Sequence, residues 1–163
     1  MNIDVQLIEK VVKKVLTDVE TACPAEEYTY GIFETMDDAI EASAKAQKEY
    51  MNYSMSDRQR FVEGIREVVC KKENLEYMSQ LAVEESGMGA YEYKVVKNRL
   101  AAMKSPGIED LTTEALSGDD GLTLVEYCPF GVIGAIAPTT NPTETVICNS
   151  IAMLAGGNTV VFS

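Results

Sequence analysis

The sequence predicts an α/β protein in which a helical segment leads into the start of a parallel sheet. Three observations carry that prediction. Apolar residues recur at helical spacing through residues 35–104, punctuated by capping-box patterns and glycines. Charge then almost vanishes, and from Cys128 to Ser163 the only charged residue is Glu144. Within that uncharged section a short apolar run, a helical run opened by proline and a second short apolar run occur in order, which is the pattern of a βαβ unit.

The totals narrow the function classes. A chain of 163 residues can bury a core of its own. Its 26 acids against 14 bases give a net charge of -12. That balance argues against nucleic acid, whose phosphates need clustered Lys and Arg. The four cysteines, Cys23, Cys70, Cys128 and Cys148, form no CxxC pair, and there is no histidine. Mixed Cys/His zinc sites and Ser-His or Cys-His nucleophile pairs are therefore excluded within these residues, and no metal site is expected. A disulfide framework is not expected at this length, so a reducing, cytoplasmic setting is. No run approaches the roughly 20 apolar residues of a membrane span, and the N-terminus lacks the unbroken apolar block of a secretory signal, so no membrane partner is expected.

Taken in chain order, residues 1–20 come first. Val5, Ile8, Val11, Val12, Val15, Leu16 and Val19 form one apolar stripe at helical spacing, behind Asp4 as an N-cap. Pro24 and Gly31 break the pattern, so residues 21–34 read as a linker and the first helix as a separable element. Residues 35–163 read as the body. Thr35 opens the capping-box pattern "TMDD", and Ser56 opens another, "SDRQ", before the run that ends at "EES". Gly87 and Gly89 end one helix and precede the next, "YEYKVVKNRLAAM". Pro106-Gly107 and Asp120-Gly121 signal turns, and "LTLVEY" reads as a strand. Val132–Ala137 is then a strand, Pro142–Ala155 a helix and Thr159–Phe162 a strand. One βαβ unit leaves its sheet faces uncovered, which predicts the N-terminal piece of a larger protein or a truncated product.

The turn between strand and helix, "APTTNPTE", carries the chemistry. Asn141 reads as the N-cap, Pro142 as the first helical residue and Glu144 as the third, in capping-box position. Gly156 and Gly157 supply the C-terminal stop. Capping does not account for Ala137, Pro138, Thr139 and Thr140. These residues fall at the carboxyl end of a strand, where open α/β sheets bind ligands, and their hydroxyl and amide groups suit a cofactor or a developing oxyanion. No GxGxxG fingerprint is present.

The run from Pro129 to Ser163, with "AVEESGMGAYEYKVVKN" and "GLTLVEYCPFG", resembles the aldehyde dehydrogenases. Within them it is most similar to the CoA-acylating propionaldehyde and acetaldehyde dehydrogenases of bacterial microcompartments. The resemblance covers residues from about 30 onward and implies the N-terminal part of that fold, a helical segment plus the start of a Rossmann-like sheet. It implies a reaction in which a cysteine thiolate attacks a short aldehyde, NAD takes a hydride and coenzyme A takes the acyl group. In hydrolytic relatives an Asn side chain holds the oxyanion. Aligned without gaps from Pro138 to Pro142 that place falls on Thr140, with Asn141 one position later, so the resemblance points to Asn141 or Thr140 as the catalytic donor. It places Ala137, Pro138, Thr139, Thr140 and Ser163 at the cofactor. Ser163 stands where many relatives have a Lys at the adenine ribose, which leaves NAD against NADP open. The family's nucleophile lies beyond residue 163, and none of the four cysteines matches it. Cys70, Cys128 and Cys148 read as small core residues.

The resemblance also implies that residues 3–19 are an encapsulation helix docking on microcompartment shell or cargo proteins. It likewise implies that the full-length enzyme is a homo-oligomer inside the compartment. The alternative is a truncated, non-enzymatic relative acting as a shell-binding or interaction module.

Overall fold

The computed structural model describes residues 31–163. The chain divides into two units, Met1–Thr35 and Met36–Ser163. Of the first unit only Gly31–Thr35 is described, as an exposed turn and bend. The expected helix over residues 1–20 and most of the 21–34 linker lie outside the described residues.

The second unit opens with four helices. Helix α1, Met36–Tyr50, starts directly after Thr35, with Asp37 and Asp38 in its first turn and Lys48 in its last, the polarity that suits a helix dipole. Helix α2, Met55–Cys70, is capped by Ser54, not Ser56. The Ser54 hydroxyl accepts from the Asp57 N–H and the Asp57 carboxylate accepts from the Ser54 N–H; the Ser54 hydroxyl, which also donates to that carboxylate at 2.6 Å, and then the Ser54 N–H hold the Asp57 carboxyl below its ordinary range. The capping box is real but starts two residues earlier than "SDRQ" suggests. Lys71 is extended (φ -61, ψ 135) and separates α2 from α3, Lys72–Ser86. Gly87 ends α3 in the left-handed region and donates to the Val83 carbonyl at 2.8 Å, as the glycine signal predicts. Helix α4 is Tyr91–Lys104.

A short 3-10 turn, Ile108–Asp110, leads to strands β1, Glu114–Gly118, and β2, Gly121–Val125, which form an antiparallel hairpin closed at Gly118↔Gly121. Every residue of the hairpin is exposed. Strand β3, Val132–Ala135, helix α5, Pro142–Ala155, and strand β4, Thr159–Phe162, complete the unit. β3 and β4 pair in parallel, from Val132↔Thr159 to Ala135↔Phe162. The βαβ unit is therefore present with the boundaries expected for α5 and β4.

Three features fix this register. The Asn158 side-chain oxygen accepts from the N–H groups of Phe130 and Gly131 at 2.6 and 3.0 Å, so the residue just before β4 holds the entry to β3. Ser43 of α1 hydrogen-bonds Thr159 at 2.9 Å, Gln47 donates to the Gly157 carbonyl, and the Tyr50 hydroxyl donates to the Leu154 carbonyl. Gly157 sits at φ +82, so this position needs glycine for its conformation, and a Cβ there would stand 2.5 Å from the Arg58 guanidinium, which would have to move.

The core forms where α2, α4 and α5 meet, around Val62, Ala102, Ile147, Ile151 and Ala155. Cys70 and Cys148 are partly buried against it, consistent with small core residues. Cys128 is exposed and does not fit that expectation, because it comes after an exposed hairpin and precedes the sheet instead of packing under it.

Candidate functional site

Because β3 and β4 run parallel, their carboxyl ends open on one edge. The Ser163 N–H donates to the Ala135 carbonyl and the Ala137 N–H to the Ser163 carbonyl, both at 3.0 Å, so the two chains stay joined to the start of the turn. Ser163, distant in sequence, is thereby brought to the same rim as the consecutive residues Ala137, Pro138, Thr139 and Thr140. Pro138, Thr139, Thr140 and Ser163 are exposed, and Ala137 and Asn141 are half-buried. Beside Ser163 a groove of about 460 Å³ runs along the sheet, lined by Met36, Ile40, Val132, Gly134 and Val161 among others, and it carries no charged side chain.

The turn is tight. The Asn141 N–H donates to the Pro138 carbonyl at 3.1 Å, and the Asn141 carbonyl accepts the Thr145 N–H, opening α5 with Pro142 in its first turn. Asn141 does cap the helix by position, with a non-helical backbone (φ -140, ψ 57), but its side chain makes no capping bond. Its amide oxygen instead accepts from the Lys97 ammonium of α4. The expected side-chain cap is overturned because a cation competes better for an amide oxygen than a backbone N–H does.

Glu144 departs from expectation in the same way. It is buried, and its carboxylate does not reach back to the cap residue. Lys94 lies 3.5 Å and Lys97 3.4 Å from its Oε1, ion-pair distances, with Lys94 itself only 3 % exposed. Burial pushes the Glu144 carboxyl up, but its own backbone N–H, Lys94, Lys97 and the Thr143 hydroxyl together outweigh that and leave it below the ordinary carboxylate range. Glu144 is therefore held as a buried carboxylate engaged with two ammonium groups.

Lys94 makes its short hydrogen bond elsewhere, donating to the Thr140 carbonyl at 2.6 Å. A second anchor lies alongside. The Thr143 hydroxyl is 2.7 Å from Oδ1 of Asn98, whose Nδ2 donates to Ser79 at 3.0 Å. Asn98 and Ser79 are both fully buried, so α3, α4 and the first turn of α5 are tied through one polar line.

This arrangement decides how the Asn141 amide faces. A lysine only donates, so the atom bonded to Lys97 is the oxygen, and the NH2 group points the other way, to 3.5 Å from the Thr140 hydroxyl. A half-buried amide with its oxygen engaged and its NH2 presented is what an oxyanion requires. The Thr140 carbonyl is taken by Lys94, while its hydroxyl stays exposed. On the cofactor side of the turn, the Ala137 N–H is already engaged by the Ser163 carbonyl, and Thr139 is exposed. The first turn of α5 offers little to a pyrophosphate, since Pro142 has no N–H and the Glu144 N–H serves its own carboxylate. Among the described residues no group of three or more metal-ligating side chains occurs, and no helix is long and apolar enough to cross a membrane.

Lys94 and Lys97 are the residues that sequence reasoning missed. The available signal was the isolation of Glu144, a lone acid in an uncharged section that needs cationic partners once buried.

The parallel pair, its crossover helix and the carboxyl-edge turn form a βαβ unit, the start of an α/β domain. Residues 13–163 match the aldehyde dehydrogenase family, and the chain belongs to it. A propanal dehydrogenase (CoA-propanoylating) of Citrobacter freundii is 44% identical over 159 residues, covering 96% of this chain and 33% of the relative. Among solved structures, a Rhodopseudomonas palustris propionaldehyde dehydrogenase with bound CoA and an acylated cysteine is 70% identical, with a TM-score of 0.78, over 82% of this chain and 30% of that one. An engineered glycolyl-CoA reductase with bound NADP+ has the same identity, score and coverage. The propionaldehyde dehydrogenase of the Clostridium phytofermentans fucose utilisation bacterial microcompartment is 55% identical, with a TM-score of 0.75, over 81% of this chain and 30% of that one. The chain spans about a third of the length of the curated relatives it matches.

Proposed function

We propose that this chain is the N-terminal third of a CoA-acylating aldehyde dehydrogenase, which converts a short aldehyde, a nicotinamide dinucleotide and coenzyme A to acyl-CoA and the reduced dinucleotide. The observation that carries the proposal is the Asn141 amide, held with its NH2 outward at the sheet edge where Ala137, Thr139 and Ser163 converge. The dinucleotide, when bound, supplies the hydride acceptor. Asn141 donates to the oxygen that gains charge as a thiolate adds to the aldehyde, Thr140 supports that amide, and the Ala137 carbonyl and Ser163 hydroxyl bind ribose hydroxyls. Asn141 is favoured over Thr140 as donor because its orientation is fixed by a partner on α4, whereas a threonine hydroxyl rotates freely. The nucleophilic cysteine is supplied from beyond residue 163. Ser163 brings no charge to the ribose and so favours neither NAD nor NADP electrostatically.

Residues 3–19, outside the described residues, serve in this reading as a helix docking on microcompartment shell or cargo proteins, and the complete enzyme is a homo-oligomer in that compartment. Val12→Glu in the apolar stripe should release the enzyme from shells while its activity stays intact, and undiminished cargo loading would refute the docking role.

The deciding experiment pairs the intact mass of the native protein with a fluorescence titration of NADH. A mass well above 17.9 kDa, with saturable NADH binding and CoA-dependent NADH formation from propanal, supports the reading. A 17.9 kDa product that binds no NADH overturns it in favour of a shell-binding module.

A further inference from the structure

The geometry points to Lys94, Lys97 and Glu144 as a positioning cluster that sets the turn at Thr140 and the facing of the Asn141 amide. This inference rests on the dehydrogenase reading for its catalytic consequence, but not for its structural one.

The cluster has a division of labour. Lys94 is buried and reaches the backbone, donating to the Thr140 carbonyl at 2.6 Å. Lys97 is half-exposed and reaches the side chain, donating to Oδ1 of Asn141. Glu144 lies 3.5 and 3.4 Å from the two ammonium groups and accepts no hydrogen bond at Oε1 among the described residues, so its role is to hold both cations by charge. Lys94 and Lys97 are three residues apart on α4 and so share one helix face. Glu144 stands at the third position of α5, the helix that the turn begins. The cluster therefore ties the turn to α4 from two directions. Without Lys97 the Asn141 amide loses the partner that distinguishes its oxygen from its nitrogen, and the NH2 group faces the site in only part of the population. Neither lysine touches the reacting atoms in this arrangement. Both act through Thr140 and Asn141.

The test uses the full-length dehydrogenase and two independent readouts. The first is a double-mutant cycle on steady-state turnover with propanal, NAD and CoA. Lys97→Met should lower kcat by about tenfold with each KM within about twofold of wild type, and Lys97→Arg, which keeps a donor at that place, should restore most of the loss. In an Asn141→Ala background the same Lys97→Met change should lower kcat by less than about twofold, since the residue it positions is gone. A full tenfold loss in that background, or wild-type kcat in Lys97→Met alone, overturns the inference.

The second readout is hydrogen exchange over residues 139–145, which requires no activity. Lys94→Met should accelerate exchange at the Asn141 and Thr145 amides by about tenfold while α2 keeps its protection, as expected for local opening. Unchanged exchange there overturns the inference. If Lys94→Met loosens α2 as well, Lys97→Met, at a half-exposed site, is compared in its place. Should the wild-type protein form no acyl-CoA, the dehydrogenase reading falls, and the exchange comparison still decides the cluster.

Discussion

Replacing Asn141 with aspartate separates shape from chemistry at the proposed oxyanion site. Asn141→Asp keeps the size of the side chain and strengthens its contact with the Lys97 ammonium, because the oxygen that Lys97 grips becomes part of a carboxylate. The turn is thus at least as well held as in the native protein. What is lost is the NH2 donor, and a negative charge now faces the developing oxyanion. Loss of one such donor costs about 10²-fold in kcat, or about 2.7 kcal/mol, the change expected for Asn141→Ala. A carboxylate about 4 Å from the oxyanion adds a repulsion of up to about 4 kcal/mol at an effective dielectric of about 20, which Lys97 partly cancels. Asn141→Asp should therefore fall at least about 10³-fold below wild type, further than Asn141→Ala. The assay is NADH formation from propanal with saturating CoA, analysed for kcat and KM separately, on the full-length enzyme. Thr140→Val should stay within about tenfold, since the hydroxyl only supports the amide at 3.5 Å. Wild-type turnover in Asn141→Asp would refute the donor role outright. A hundredfold loss confined to Thr140→Val would move that role to Thr140.

Three further outcomes test the fold that holds the site. Ile151→Ala removes a fully buried side chain at the junction of α2, α4 and α5 and should cost about 3 kcal/mol, seen as a lowered urea midpoint with an unchanged slope. Gly157→Ala should destabilise by more than about 1 kcal/mol, because the residue sits at φ +82 and the new Cβ meets an Arg58 guanidinium that is stacked on Tyr50; an unchanged melting temperature would contradict this. The Glu144 carboxyl is held below its unfolded value of about 4.3, so its contribution is fully present above that pH and is lost as pH falls through the folded value. Melting temperature should accordingly drop on acidification below about pH 4.3, and Glu144→Gln should flatten that drop while lowering stability at pH 7, where it leaves Lys94 buried without its counter-charge.

Much of the fold was legible because it follows from local chemistry. The left-handed stop at Gly87, the bounds of α5 and β4, and the parallel pairing of the two apolar runs all come from residues whose conformational demands act over a few positions. The hairpin was half legible. β2 shows in "LTLVEY", but β1, Glu114–Gly118, has glutamate, alanine and leucine, which favour helix, and an all-exposed strand leaves no alternation to read. Ser54 and Ser56 are chemically equal candidates for a cap, and only the reach of Asp57 back to the residue three before it decides between them. Asn141 and Glu144 form a well-made helix start on paper. That reading fails because capping is worth only about 1 kcal/mol, and cations arriving from another helix outcompete it.

The decisive fact about this site is non-local. Between Cys128 and Ser163 the chain carries one charge, and the fold buries it. A buried carboxylate is tolerated only when paired, and its partners must come from outside that section. They come from α4, more than 40 residues earlier, so the packing of α4 on α5 and the shape of the turn are one constraint. Any sequence that keeps the turn but loses the two lysines must also lose or neutralise Glu144, since the acid alone would cost more than the cap it could form. Conversely, lysines kept without the acid would leave Lys94 buried beside a lone carbonyl dipole. The three residues are therefore expected to tolerate replacement together better than singly: Lys94→Met with Lys97→Met and Glu144→Gln should be more stable than Glu144→Gln alone, yet slower in turnover than wild type, because stability can be met by apolar packing while the facing of the Asn141 amide cannot.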